Sequence, residues 1–430
     1  MAEKSSISVF GLGYVGSVSA AALAVAGHKV IGVDKDILKI SLLHEGRPPI
    51  GEPGLDQLLS QAIESGRIVF TQDSQEAVLN TDISLICVGT PPGPDGAPDL
   101  RDLIRVCEAI SLALRRKKGT HTVLVRSTVL PGTTRNIIGP TLERLSGKKV
   151  GQDIKLAFHP EFLREVTAVA DFNDPRRVVV GWVGPGDDVL IREMYNFLPS
   201  QTKFFSVGAE EAECLKYADN AFHGLKVAFI NEISRISRES GAEPDTVAEM
   251  FLADPLLNTS EAYLRPGFAF GGSCLPKDIK ALAYKSKQLQ IPAPVVQSIL
   301  PSNTAHIQWV SQRILSSKPD SIGVYGLSFK QGTDDLRESP VLYLIKQLAD
   351  GGVRPVVADP EVRPGDLHGR NLHEALAVVP WLLESIVAPE EVFAKDVVVF
   401  TKVPKTALPQ GIRGFDLTGK LFLEGLIPLP

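Results

Sequence analysis

Gly271-Gly272-Ser273-Cys274-Leu275-Pro276-Lys277-Asp278 holds the densest group of chemically useful side chains in this 430-residue sequence. Pro276, followed by the run Asp278–Ala283, predicts a helix that begins here with proline in its first turn. Cys274 then sits at the positive end of a helix dipole and beside Lys277. Both lower a thiol's pKa and favour the nucleophilic thiolate. Asp278, four residues on, shares that helix face and can orient a water or assist a proton transfer. An isolated cysteine usually reads as a buried structural residue; the glycines and charges around this one point to chemistry.

A second group is Gly11-Leu12-Gly13-Tyr14-Val15-Gly16. Gly11 permits a tight turn, Gly13 lets backbone approach a pyrophosphate, and Gly16 permits close helix–strand packing. The helix that follows offers its free N–H groups to phosphates. Asp34, 18 residues after Gly16, ends the next strand, where a carboxylate accepts from ribose hydroxyls and repels a 2′-phosphate. The expected cofactor is therefore NAD rather than NADP.

Three loops at predicted strand ends add polar groups: Val88-Gly89-Thr90-Pro91, Arg126-Ser127-Thr128-Val129-Leu130-Pro131-Gly132-Thr133, and His159-Pro160-Glu161-Phe162-Leu163-Arg164-Glu165. Open α/β sheets bind ligands at such ends, and Glu161 can serve as a base for water. Taken singly, each also reads as a plain surface turn. Lys216, Asn220, His223 and Asn231 fall at offsets of 4, 7 and 15, on or near one helical stripe. That alignment suits the lining of a polar substrate better than a set of solvated side chains.

These groups need a scaffold, and the hydrophobic pattern supplies one. Strand-like runs at 7–10, 29–33, 83–88, 121–125, 155–158 and 178–181 alternate with helical stretches such as Ser17–Ala26, which Gly27 stops. Near-continuous apolar strands in such alternation predict a parallel, doubly wound sheet. From Ala209 to Ser240 there is no proline, and apolar residues recur every three or four positions, predicting one long amphipathic helix of about 45 Å. Further strand signals at 321–326, 355–358 and 396–400 predict a second, smaller Rossmann-like domain.

Composition sets outer limits. The sequence is 44% hydrophobic and 22% charged, with a net charge of −5. That is ordinary for a soluble protein and offers no general attraction to nucleic acid or anionic membrane. Residues 1–6 lack the parts of a signal peptide, and no apolar run is long enough to span a bilayer. Four scattered cysteines, Cys87, Cys107, Cys214 and Cys274, have no C-x-x-C spacing. The expectation is a cytoplasmic protein with no metal site and no disulfide framework.

Together these segments resemble the UDP-glucose/GDP-mannose dehydrogenase family over essentially the whole chain. The matching pieces are Gly11–Gly16, Gly89-Thr90-Pro91, Ser127-Thr128-Val129, Pro160–Glu165, Lys216 with Asn220, Gly271–Asp278, and Gly326-Leu327-Ser328-Phe329-Lys330 with Asp335-Leu336-Arg337-Glu338-Ser339. The resemblance implies an N-terminal NAD-binding Rossmann domain (1–205), a central helical dimerisation domain (206–317) and a C-terminal nucleotide-sugar domain (318–430). It also implies a homodimer or larger homo-oligomer built through the central helix.

The resemblance further implies a four-electron oxidation of a sugar C6 hydroxymethyl group. An aldehyde forms first, Cys274 adds to it as a thiohemiacetal, and oxidation gives a thioester that water hydrolyses to the uronic acid. Glu161 and Asp278 would activate that water, while Lys216 and Asn220 would stabilise the oxyanion. Thr128 would position substrate, water and nicotinamide. The cofactor would be held by the Gly11–Gly16 turn with Tyr14 and Val15, by Asp34, Lys39 and Thr90, and by Glu165, Lys277 and Arg337 near its nicotinamide half. Phe162, Leu163, Arg164, His223, Phe268, Gly271 and Lys330 would contact the nucleotide sugar, with Arg265 reaching the substrate of the partner subunit.

Four features bear on the family's branches. Arg265–Phe270, His223 and Thr333–Leu336 look like the GDP-mannose branch, whereas the segment Asp171–Gly181 looks more like the UDP-glucose branch. His159 and Ala262 depart from the family pattern. The expectation is GDP-mannose oxidation to GDP-mannuronate, with UDP-glucose as the alternative. A β-hydroxyacid dehydrogenase shares the glycine turn, the long helix and a Lys-x-x-x-Asn pair but stops at one oxidation. A non-catalytic nucleotide-sugar binder would have no use for Cys274.

Overall fold

The structure is a computed structural model that describes residues 5–239, 241–255, 267–288, 290, 293–365, 367–405, 408–419, 421 and 426–428. Arg265 and Ala262 lie outside these residues. The chain divides into two compact units, Met1–Ala218 and Asp219–Pro430.

In the first unit, β1 (Ser6–Phe10), β2 (Lys29–Val33), β3 (Ile68–Thr71), β4 (Ile83–Ile86), β5 (His121–Val125), β6 (Ile154–Phe158), β7 (Arg177–Trp182) and β8 (Lys203–Gly208) form one sheet in the order β3-β2-β1-β4-β5-β6-β7-β8. The first six follow the Rossmann order. Every residue of β4 and β5 is buried, as strands covered on both faces must be. Ile7, Val9, Ile83 and Leu85 belong to the core that includes the helices Tyr14–Val25 and Leu55–Glu64. Phe10 and Ile86, one residue out of phase, join the core that includes Arg101–Leu114 and Gly139–Ser146.

The sheet is not parallel throughout, contrary to the pattern-based expectation. β7 runs antiparallel to β6, with Phe158 opposite Gly181, and β8 is parallel to β7. The β6–β7 connection contains one short helix, Ala168–Asn173, about 9 Å long. The reversal has a positional effect. β8 ends at the edge where β1–β6 begin, and the helix Ala209–Glu239 starts there at once. From Ala209 to Lys216 it climbs about 10 Å back along the sheet. Gly181 lets it lie close, since a Cβ there would stand 2.6 Å from the Ala212 Cβ.

The second unit carries the rest of that helix, the helices Pro244–Leu252, Leu275–Gln288 and Pro294–Ser316, and a second sheet. Strands β9 (Ile322–Tyr325), β10 (Val356–Ala358), β11 (Val397–Phe400), β12 (Gly414–Asp416) and β13 (Leu426–Pro428) are all parallel, in the order β10-β9-β11-β12-β13. β13 holds a proline, which an edge strand tolerates. Among the described residues, no helix is long and apolar enough to cross a membrane.

Candidate active site

The glycine turn joins β1 to the helix Tyr14–Val25. Gly11 has φ +88, and a Cβ there would press on Val88 at 2.8 Å. A Cβ on Gly16 would stand 1.8 Å from the Gly11 carbonyl oxygen. The chain's own packing therefore requires both glycines. At Gly13 a Cβ would meet nothing within 4 Å, so the protein itself has no need of glycine there. The helix beyond has no side-chain cap and no acid in its first turn. Open space in front of uncapped N–H groups fits a pyrophosphate. Asp34, just past β2, accepts the Leu12 N–H at 2.8 Å and the Asp36 N–H at 3.0 Å. Lys39 pairs with it at 3.4 Å. Val15 packs on the core beneath the turn.

The loops after β4 and β5 are tied together. The Ser127 hydroxyl donates to the Val88 carbonyl at 2.6 Å, and that of Thr90 to the Thr128 carbonyl at 2.6 Å. Glu213, which sequence reasoning missed, lies on the long helix and accepts the Gly132 and Thr134 N–H groups at 2.6 and 2.8 Å. It anchors the Thr128 loop from one turn before Lys216.

Lys216 is 5% exposed, and its Nζ lies 2.8 Å from Oε1 of Glu161. Oε2 of Glu161 accepts the Leu163 N–H at 2.7 Å. Burial alone would push the Glu161 carboxyl up, but Lys216, Arg126 and the Leu163 bond hold it below its ordinary value. It is a charged, paired carboxylate. Phe162 lies against Lys216, with 5.7 Å from the ammonium to the ring centroid. Arg164 is exposed and engages Asp171 through two N–H donors at 2.7 and 3.0 Å. Burial and Glu52 push the Tyr14 phenol's pKa up, and the charge of Glu165 adds to this. His159 has a structural part: Nδ1 contacts the Val179 carbonyl at 2.7 Å and Nε2 the Tyr195 hydroxyl at 2.6 Å. Burial pushes its pKa down to about 3, so it is neutral.

In the second unit Cys274 is exposed and immediately precedes the helix Leu275–Gln288. Its carbonyl accepts the Asp278 N–H at 3.0 Å. Asp278 is 2% exposed; its carboxylate accepts from the Asn220 amide and pairs with Lys277 at 2.6 Å. Cys87 and Cys107 are buried thiols, each pushed up to about 12 by burial. Neither is a thiolate at neutral pH.

Gly271 has no room for a side chain, since a Cβ would stand 2.4 Å from the Glu338 carbonyl oxygen and from Pro340. The segment it touches carries Arg337, which pairs with Asp335 at 2.7 Å, and Glu338, which pairs with Lys280 at 2.7 Å. Asn231 accepts the Gly267 N–H at 3.2 Å. Phe268 sits 6.3 Å from the His306 ring, centroid to centroid. Lys330 is exposed and His223 half-buried. Thus Asn220, Lys277 and Asp278 are gathered at the start of the helix that follows Cys274.

Three stretches of the chain match domain descriptions of the UDP-glucose/GDP-mannose dehydrogenase family: the NAD binding domain over residues 5–198, the central domain over 210–305 and the UDP binding domain over 323–395. GDP-mannose 6-dehydrogenase of Pseudomonas aeruginosa is 42% identical over 96% of each chain. A GDP-mannose dehydrogenase structure from P. aeruginosa superposes with a TM-score of 0.58 at 40% identity, covering 98% of this chain and 99% of its own. A UDP-glucose dehydrogenase from the archaeon Pyrobaculum islandicum superposes with a TM-score of 0.84 at 33% identity, covering 96% and 94%.

Proposed function

Because the chain belongs to the UDP-glucose/GDP-mannose dehydrogenase family, we propose that it is an NAD-dependent 6-dehydrogenase that oxidises GDP-mannose to GDP-mannuronate. The observation that carries this reading is Cys274: an exposed thiol at a helix start, followed by the buried Asp278 that Asn220 and Lys277 hold. A dehydrogenase that stops at the aldehyde has no use for it.

When bound, NAD+ would supply the hydride acceptor, one molecule for each of the two oxidations. Gly13, the uncapped helix at Tyr14, and Asp34 with Lys39 would hold the dinucleotide, and Glu165, Lys277, Arg337 and Thr90 are the residues that would add to its contacts. The Cys274 thiolate adds to the C6 aldehyde, which fixes the carbon as a thiohemiacetal until the second oxidation makes a thioester. Asn220 and the Lys216 ammonium stabilise negative charge on the C6 oxygen. The Lys216 cation is already desolvated, which makes its field strong. Glu161 and Asp278 are the groups suited to orient the hydrolytic water, and Thr128 to position the substrate. Thioester hydrolysis frees the carboxylate and returns the thiol.

Identity favours GDP-mannose, at 40% for the GDP-mannose dehydrogenase structure against 33% for the UDP-glucose enzyme. The superposition scores point the other way. Identity is the better guide here, because a score over a two-unit chain reports backbone disposition and not the side chains that read a base or a sugar. UDP-glucose remains the second reading. Phe222 and Phe229 on the long helix are 44% and 41% exposed, which supports a homodimer formed through that helix. Reduced thiols suit a cytoplasmic protein.

The test is the number of NADH released per sugar, with GDP-mannose, UDP-glucose and UDP-N-acetyl sugars supplied in limiting amounts. Two from GDP-mannose is the expected result. Two from UDP-glucose alone would move the assignment to the other branch, one from any sugar would remove the thioester step, and none from any would overturn the enzymatic reading.

A further inference from the structure

Glu52 lies just before the helix Leu55–Glu64 and is 6% exposed. Nothing in the spacing around it marks a site. Yet its two oxygens take three donors from two other parts of the first unit. Oε1 accepts the Ala168 N–H at 2.7 Å. Oε2 accepts the Val166 N–H at 2.8 Å and the hydroxyl of Tyr14. The Tyr14 oxygen in turn accepts the Val166 N–H at 3.0 Å and lies 3.2 Å from the Arg164 carbonyl.

The two ends of this group differ in kind. Tyr14 is the first residue of the helix behind the glycine turn. Val166 has φ +76, a conformation that β-branched residues rarely adopt. Such strain persists only where the surroundings impose it. Ala168 opens the helix Ala168–Asn173, which has no side-chain cap of its own. The segment held this way begins at Glu161, the partner of Lys216, and includes Glu165.

We propose that Glu52 is a positioning residue for the reaction: with Tyr14 it clamps the Glu161–Thr167 loop to the helix that receives the cofactor. This rests on the dehydrogenase reading above. The clamp has built-in redundancy. If Glu52 becomes glutamine, its oxygen keeps Ala168, its new amide can donate to the Tyr14 oxygen, and the Tyr14 hydroxyl can turn to the Arg164 carbonyl. If Tyr14 becomes phenylalanine, Glu52 still holds both N–H groups. With both changes, the Val166 N–H faces an amide N–H and has no acceptor, and the φ +76 conformation loses its support.

The experiment compares Glu52→Gln, Tyr14→Phe and the double variant in the full-length protein. It measures kcat, KM for NAD, melting temperature, and hydrogen exchange over residues 161–168. Each single change should lower kcat two- to threefold. The double should lower it thirtyfold or more, with KM for NAD within threefold of wild type because the three glycines of the turn and the backbone N–H groups behind them are unchanged. Exchange at Val166 and Ala168 should quicken at least tenfold in the double variant. Losses of kcat that merely multiply, unchanged exchange over 161–168, or a lower melting temperature with wild-type kcat per active site would each overturn the clamp. If the wild-type protein reduces no NAD with any nucleotide sugar, the dehydrogenase reading fails by itself, and the clamp, as a positioning device for that reaction, falls with it.

Discussion

Replacing Lys216 with methionine removes the ammonium beside Glu161 and keeps most of the side-chain volume. Glu161 is 7% exposed, with Lys216 at 2.8 Å and the Leu163 N–H at 2.7 Å. Breaking a buried ion pair costs about 3–5 kcal/mol when the orphan stays charged. Glu161 avoids part of that cost by taking up a proton, because burial, the largest influence on it, favours the neutral acid. In the wild type its folded pKa is depressed, so its contribution is present above the unfolded value and is lost only as pH falls through the folded one. The variant reverses the sign. The folded pKa is raised, the native state holds a proton that the unfolded chain has released, and stability falls as pH rises. The slope is about 1.4 kcal/mol per pH unit above an unfolded value of about 4.3. Between pH 5.5 and 7.5 the gap to wild type should widen by up to roughly 3 kcal/mol. Urea unfolding can follow this through Trp182, the first unit's single tryptophan, once Trp309 and Trp381 are phenylalanine. A constant gap would refute the reasoning, because it would mean that Glu161 stays ionised on Arg126 and the Leu163 N–H alone.

Cys274→Ser should stall with a species visible by intact mass, either an aldehyde-level adduct after one NADH per site or a serine ester after two; full turnover would rule out the covalent route. Gly13→Ala should melt like wild type but bind NAD at least tenfold more weakly in a fluorescence titration, since its Cβ meets no protein atom. Gly16→Ala should instead lower stability by about 3 kcal/mol or more, because its Cβ has to displace the Gly11 carbonyl; equal melting of the two variants would contradict this division. Asp34→Ser should raise the NADP-to-NAD ratio of kcat/KM at least tenfold, through loss of the repelling carboxylate; an unchanged ratio would move cofactor choice elsewhere.

Local chemistry was legible in the sequence where one stretch of chain supplies all the parts. The glycine turn, Asp34 after β2, the helix starting behind Cys274 and the long helix from Ala209 all follow from spacing within a few residues. What could not be read is what distant segments do together. Glu161 and Lys216 each stand out, but nothing in the sequence pairs them. Glu52 and Glu213 were missed because a carboxylate that accepts backbone N–H groups from another loop has no sequence signature. The outer strands β3 and β8 were missed too; the exposed residues of β8 break the apolar run that marks an inner strand. The turn-back at β7 was not read because a hydrophobic pattern marks a strand as buried without reporting its direction.

That turn-back makes the first two turns of the long helix a ruler. Lys216 reaches Glu161 only because β8 delivers the chain to the far edge and the helix returns by a fixed number of residues. One residue inserted or deleted between Ala209 and Leu215 would swing Lys216 by about 100° around the axis. Glu213, which steadies the Thr128 loop, would turn with it if the change preceded it. Descendants of this sequence should therefore vary along that stretch at its exposed positions, keep Ala212 and Glu213, and scarcely change its length.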